Sequence, residues 1–244
     1  MQDADVVILG EVHDNPEHHR LQAEAVAALQ PAALVFEMIP AALSAEADAL
    51  HRRGAGRAEM AAALAWQEGG WPPFEDYAPI FEAAPQARIW GAGAPREDVR
   101  RAFSEGAAHV FGADAARFGL DQPLAAEEQA ARETLQDDAH CNAMPPEMLG
   151  GLVAAQRYRD ARFAQAVLTA LEATGGPVVL ITGNGHARTD WGVPAALAQA
   201  APDLAVFARA HLEIPPEDTP PFDDWRVTAA AEREDPCAAF RSGD

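Results

Sequence analysis

The stretch Asp5–Asn15, DVVILGEVHDN, decides the fold. Its apolar run is too short for a helix and rich in β-branched side chains, so Asp5–Leu9 reads as a strand buried on both faces. Gly10 follows it. Asn15 and Pro16 then supply an N-cap and a first helical position for a helix over Pro16–Leu29. Short apolar runs of the same kind return at Ala33–Phe36, Ala87–Trp90, Pro177–Thr182 and Asp203–Phe207, with Asp224–Val227 as a sixth candidate. Alanine-rich helical segments lie between them. The alternation predicts an α/β fold, a mostly parallel sheet flanked by helices.

One stretch breaks the rhythm. Between Ile89 and Pro177 no convincing strand occurs, and the pattern is two or three helices, including Pro123–Ala139 and Pro146–Leu171, punctuated by Pro145 and Pro146. This predicts a helical insertion subdomain over roughly residues 95–172, inside a single domain spanning 1–214. Gly69–Pro73, GGWPP, reads as an irregular loop, and the proline- and acid-rich stretch 215–244 as a tail that wraps the surface or frays.

Composition excludes several functions. The chain has 244 residues and a formal net charge of −20, which repels phosphate backbones and anionic lipid surfaces, so no nucleic-acid partner is expected. All 18 basic residues are arginine, so there is no Walker A lysine, Schiff-base lysine or pyridoxal-phosphate attachment point. No apolar stretch approaches the roughly 20 residues of a membrane span, and no signal-like segment opens the chain. The expectation is a soluble chain, cytoplasmic as it stands and of the cell envelope if a native signal was removed. Cys141 and Cys237 fit no zinc knuckle or CxxC spacing. They are either one long-loop disulfide or two buried thiols.

In a parallel sheet, ligands bind beyond the carboxyl ends of the strands. Three such ends carry unusual residues: Gly10-Glu11-Val12-His13, Phe36-Glu37-Met38 and Gly183-Asn184-Gly185-His186. If these strands are neighbours, Glu11, His13, Glu37 and His186 meet at one edge, with glycines that let a backbone come close. Two carboxylates and two imidazoles suit a divalent metal, general acid–base work or the polar edge of a cofactor. His18, His19, His51, His109 and His211 have no matching partners and are expected to be solvated or simply packed. In the long helix, Leu149, Val153, Phe163, Val167 and Leu171 form an apolar stripe interrupted by Gln156 and Asp160, with Arg159 beside them. A buried carboxylate needs a partner, so Asp160 is expected to meet an arginine, a histidine or a ligand. The opposite face carries Ala154, Ala155, Tyr158, Ala161, Arg162 and Gln165. It is either a small-residue seat for a flat ligand or second subunit, or an exposed alanine-rich surface.

The blocks VILGEVHDNPEHHRL (Val7–Leu21), VFEMIP (Val35–Pro40), HCNAMPPEMLGGLVAAQRYRDARFAQA (His140–Ala166) and VVLITGNGHARTDWGVP (Val178–Pro194) resemble the ChaN-like haem-binding uptake proteins. These belong to the wider Tiki/TraB and erythromycin-esterase-like superfamily. The resemblance implies an α/β core with a helical subdomain, and haem binding linked to iron acquisition by lipid-anchored or periplasmic proteins. It also implies a homodimer that encloses two stacked haems, a tyrosine iron ligand and haem-transport components as partners. Of the two tyrosines, Tyr77 and Tyr158, only Tyr158 lies within a matching block, which makes it the candidate axial ligand. The candidate haem-binding set is Tyr158, Arg159, Arg162, His13, Asp160, Gln156, Asn184 and His186, with arginines facing propionates and Trp66, Trp71 and Trp191 available to line an apolar slot. The alternative is a hydrolase in which Glu11, His13, Glu37 and His186 bind a metal or activate water directly, since no GxSxG nucleophile is present. A third reading is a small-molecule binding or regulatory domain.

Overall fold

The opening apolar run forms β1, Val6–Glu11, in which Val6, Val7, Ile8 and Leu9 are all fully shielded from solvent. Burying each of these side chains contributes on the order of 1.5–3 kcal/mol. The computed structural model of the chain describes residues 1–235, 237 and 238. From β1 the chain passes through α1 (Pro16–Leu29), β2 (Ala33–Pro40), α2 (Ser44–Arg52), α3 (Arg57–Ala63) and α4 (Phe74–Ala83) to β3 (Arg88–Gly93). After α5 (Arg96–Glu105), α6 (Ala107–Phe111), α7 (Ala126–Ala139) and α8 (Pro146–Thr174) come β4 (Val178–Gly183), α9 (Asn184–Ala187), α10 (Val193–Ala200), β5 (Val206–Leu212) and β6 (Asp224–Val227).

Among the described residues six strands run parallel in one sheet, in the order β3-β2-β4-β1-β5-β6. The α/β reading is therefore right. β1 is central, with Val6 opposite Val178 on one side and Val206 on the other. The carboxyl ends of β1, β2 and β4 are thus neighbours. On one face of the sheet, Leu9, Leu34, Phe36 and Ile181 pack with Val26, Trp66, Tyr77 and Phe81 from the helices and loops. The Phe36 and Phe81 rings stack with centroids 4.2 Å apart. At the start of α1, the Asn15 side chain accepts from the Glu17 amide and Pro16 stands at the first helical position.

The chain divides into two compact units, Met1–Ala94 with Arg162–Ala231, and Pro95–Ala161 with the described residues from Glu232 onward. The first holds the sheet. The second is helical, and it corrects the expectation of two or three helices: α5, α6, the turn Ala115–Phe118, α7 and the start of α8 are all there. Gly106 and Gly112, at φ 94° and 86°, bound α6 on either side and cut a continuous helical pattern into short pieces. In this unit Arg157 donates to the Gly119 and Gln122 carbonyls, and Cys141 is bonded to Cys237.

Three further expectations change. The fifth strand is Val206–Leu212 and not Asp203–Phe207, because Arg209 is neutralised by Asp224 on β6 at 2.7 Å and can enter the ladder. The reading of Tyr158 as part of an exposed face fails too: Tyr158 is 2% exposed and its ring meets Phe111 edge-on. The stretch from Pro215 supplies β6 and further ordered contacts, while Pro236 and residues 239–244 of the expected tail lie outside the described residues.

Two outcomes follow from this packing. A β-carbon on Gly10 would fall 2.5 Å from Asn184 Oδ1 and 3.0 Å from the Ala187 β-carbon, so Gly10→Ala should lose about 1–3 kcal/mol in urea denaturation. Thiol titration in denaturant without reductant should find no free Cys141 or Cys237, and replacing both by serine should cost about 2–5 kcal/mol.

Candidate functional site

Glu11 is the last residue of β1, and its carboxylate is buried where the strand meets α1 and α4. It is closely ligated. Tyr77 of α4 donates to Oε1 at 2.5 Å, Gln22 of α1 donates to Oε2 at 2.8 Å, and His13 Nδ1 lies 2.8 Å from Oε1. His19 Nε2 stands 3.6 Å away, its ring lying against Tyr77 with centroids 4.0 Å apart. Burial pushes the Glu11 carboxyl upward, but the bond from His13, the approach of His19 and the charge of both rings outweigh it. Together they hold the group at about 2, below its ordinary 4.5. Burial, with the Glu11 charge, drives the Tyr77 phenol far above its usual range, so Tyr77 stays a donor.

Glu37 is the second buried carboxylate. Its Oε2 accepts from Thr182 Oγ1 at 2.6 Å and from the Gly183 amide at 2.9 Å, which ties β2 to the end of β4. Its Oε1 stands 3.9 Å from His13 Nε2 and 3.9 Å from His186 Nε2. The structure therefore brings Glu11, His13, Glu37 and His186 together. His186 is buried beside the Phe163 ring, whereas the His13 side chain keeps 33% of its surface exposed, next to Trp71. A β-carbon on Gly183 would sit 2.9 Å from His13 Nε2, so the bare backbone there makes room for the imidazole. With Glu11 accepting at Nδ1, His13 directs Nε2 toward Glu37. This is a carboxylate-oriented imidazole with a second carboxylate beyond it, an arrangement that can hold or pass a proton. Among the described residues, no three His, Cys, Asp or Glu side chains stand as a group that could hold a metal ion.

Several members of this network carried no signal on their own. His18, His19 and Gln22 are fully buried on the inner face of α1 with Ala25 and Val26. Polar residues in a buried helical stripe are the same sign that marks Asp160 in the long helix, and applied to α1 it finds them. His211 is also fully buried on β5, where Nδ1 donates to the Gly10 carbonyl at 2.7 Å. Asn184 bridges to the same strand, donating to the His211 carbonyl at 2.6 Å. Tyr77 had no marker, since a tyrosine in an aromatic-rich helix reads as core.

The remaining candidates lie along α8. Arg162 belongs to the sheet unit and donates to Gln165 at 3.0 Å. Gln156, Tyr158, Arg159 and Asp160 belong to the helical unit, where Tyr158 and Asp160 are buried and Gln156 and Arg159 are partly exposed.

Comparison with known proteins gives one family. The profile described as haem-binding uptake, Tiki superfamily, ChaN matches residues 1–197. Among solved structures, that described as cofacial haem binding to ChaN of Campylobacter jejuni is 21% identical, with a TM-score of 0.68 over 86% of this chain and 82% of that one. This likeness is one of fold. The type III effector HopBA1 aligns over 86% of this chain and 77% of its own at 12% identity and TM-score 0.47. An erythromycin esterase variant in its open conformation covers 86% and 70% at 13% identity and TM-score 0.43. No curated protein sequence is a significant match.

The depressed Glu11 titration makes a signed prediction. A carboxyl held at about 2 in the fold and near 4.5 when unfolded contributes stability that is complete above pH 4.5 and lost as pH falls toward 2. Urea denaturation of the native chain should lose about 3 kcal/mol from this group across that window, and the Glu11→Gln protein should show a flatter profile.

Proposed function

The chain belongs to the haem-binding uptake family of the Tiki superfamily, ChaN, and from that membership we propose that it binds haem in the service of iron acquisition, capturing and handing on the cofactor. The single observation that carries this reading is the family match, which spans residues 1–197. The Cys141–Cys237 bond supports a working place in the oxidising cell envelope. The partners in this reading are haem, a second copy of the chain and haem-transport components.

The tyrosines test how well haem fits. Tyr77 does not fit, because it is fully buried and its hydroxyl is committed to Glu11. Tyr158 has the right chemistry, since a tyrosinate oxygen suits ferric iron, but at 2% exposure its ring is closed off in this conformation. Ligation by Tyr158 therefore requires the helical unit to open around it. Arg159 and Arg162 are the propionate partners in this proposal, while Arg157 donates to the carbonyls of Gly119 and Gln122. Gln156, Asp160, His13, Asn184 and His186 complete the proposed haem-binding set.

A second reading is favoured by one observation, the convergence of His13 and His186 on the buried Glu37. Here the sheet-edge cluster performs acid–base hydrolysis without a covalent intermediate, with His13 as the solvent-reachable base.

Haem titration of the purified protein, read by absorption difference spectra, is expected to saturate near one haem per chain with a high-spin ferric spectrum, and the loaded form is expected to elute as a dimer. Tyr158→Phe is expected to weaken binding at least tenfold and to change the spectrum; identical spectra and affinity would remove Tyr158. For the second reading, His13→Ala is expected to abolish turnover of a simple ester by about 100-fold or more, and unchanged turnover would sink it.

A further inference from the structure

Behind the sheet-edge cluster lies a set of buried groups that neither reading uses. After β6 the chain runs on as the short segment Thr228–Ala231 and fastens onto the start of α1. The Thr228 amide donates to the Leu212 carbonyl at 2.9 Å, and Asn15 Nδ2 donates both to the Ala229 carbonyl at 3.0 Å and to Glu213 Oε1 at 2.7 Å. Glu213 Oε1 in turn accepts from the Ala231 amide at 3.0 Å. The innermost contact is with an imidazole: His18 Nε2 meets Thr228 Oγ1 at 2.9 Å.

The hydrogen bonds fix the protonation of the two buried rings. His18 Nδ1 accepts from the Val12 amide at 3.0 Å, so it carries no proton, and the proton of the neutral ring sits on Nε2, donated to Thr228. His211 Nδ1 donates to the Gly10 carbonyl at 2.7 Å, so its proton is there, and its Nε2 is buried with no hydrogen-bond partner among the described residues. The rings lie with centroids 5.6 Å apart. A proton added to His18 turns an acceptor into a donor facing the Val12 N–H. A proton added to His211 puts a charge in a buried place with no acceptor, next to the other ring.

We propose that Thr228–Ala231 is an acid-released strap: neutral His18, packed against His211, fixes the Val12–Asn15 loop by accepting from the Val12 amide, Asn15 of that loop holds the strap, and protonation of the two rings frees both the strap and the loop, which carries His13.

The surroundings agree with this direction. Burial pushes the His18 imidazole below its ordinary 6.5, with Glu213 and Glu11 pulling upward and His19 downward, and the Leu212 carbonyl also favouring the charged ring. Burial likewise lowers His211, to about 4, against the Gly10 carbonyl, with His18 and Arg209 adding to the fall and Glu11 opposing it. Arg209 is itself held by Asp224. Asn184, on α9, and the strap residues Thr228, Ala229, Ala230 and Ala231 bring no titratable side chain. A ring near 4 when clasped and near 6.5 when released binds its proton preferentially in the released state. The clasp is therefore complete above about pH 6.5 and is lost as pH falls toward 4.

The test is amide hydrogen exchange on the full chain from pH 7 to pH 4, corrected for intrinsic exchange rates. Thr228 and Ala231 should lose protection by at least about tenfold between pH 6.5 and 4.5, while Ile8 and Leu180 in the central strands keep theirs. In the His18→Asn, His211→Asn double variant, which cannot titrate, this step should vanish. A flat profile in the native protein, or the same step in the double variant, would overturn the proposal. Should the double variant fail to fold, nitrogen-detected spectra of the native imidazoles decide the matter. The strap amides must open over the pH range in which His18 or His211 gains its second ring proton, and opening while both rings stay neutral would refute the idea.

Discussion

Everything at the carboxyl edge of the sheet is organised by one constraint, a carboxylate buried with its charge intact. Glu11 is fully enclosed, and an unpaired ion there would cost several kcal/mol. The fold meets that demand from separate elements: Tyr77 from α4, Gln22 and His19 from α1, and His13 from the loop between strand and helix. Each of these fixes the position of its element. The rotation of α1 must bring His19 and Gln22 inward, and α4 must lie close enough for a phenol to reach the end of β1. Glu37 repeats the arrangement on β2, where Thr182 and the Gly183 amide anchor it to β4. The two carboxylates thereby register three adjacent strand ends against one another, and His13 spans the gap between them.

The backbone around this edge is as tightly determined as the side chains. Gly10 lies where a β-carbon would collide with Asn184, and its carbonyl is the acceptor that sets the tautomer of His211. Asn184 holds β5 from the other side by donating to the His211 carbonyl. Polar contacts of this kind are directional, so they specify one arrangement where apolar packing tolerates several. The interior of the sheet, by contrast, rests on Val, Ile, Leu and Phe side chains whose burial is generous and unspecific.

This division explains what was legible in the sequence. Short branched apolar runs ending in Gly and acidic or imidazole residues can be read without a structure, and they yielded the parallel sheet and the strand-end positions of Glu11, Glu37 and His186. What could not be read was anything whose meaning lies in a distant partner. Arg209 disguised the fifth strand because Asp224, which cancels its charge, is 15 residues away in sequence. His18 and His211 look unremarkable until 5.6 Å separates their rings. Tyr158 sits among alanines that suggest an open face, yet Phe111, from a different helix, helps enclose it. The helical unit was blurred for a local reason, since Gly106 and Gly112 end helices whose residues otherwise continue the same pattern.

The bond between Cys141 and Cys237 has a consequence in time as well as in space. The helical unit is assembled from Pro95–Ala161 and the described residues from Glu232 onward, so its two pieces are made before and after Arg162–Ala231 of the sheet unit. Every residue of the sheet emerges before the second cysteine does. The cross-link can therefore form only after every residue of the sheet has been made. A chain cut short before Cys237 would carry Cys141 as a thiol without its disulfide partner.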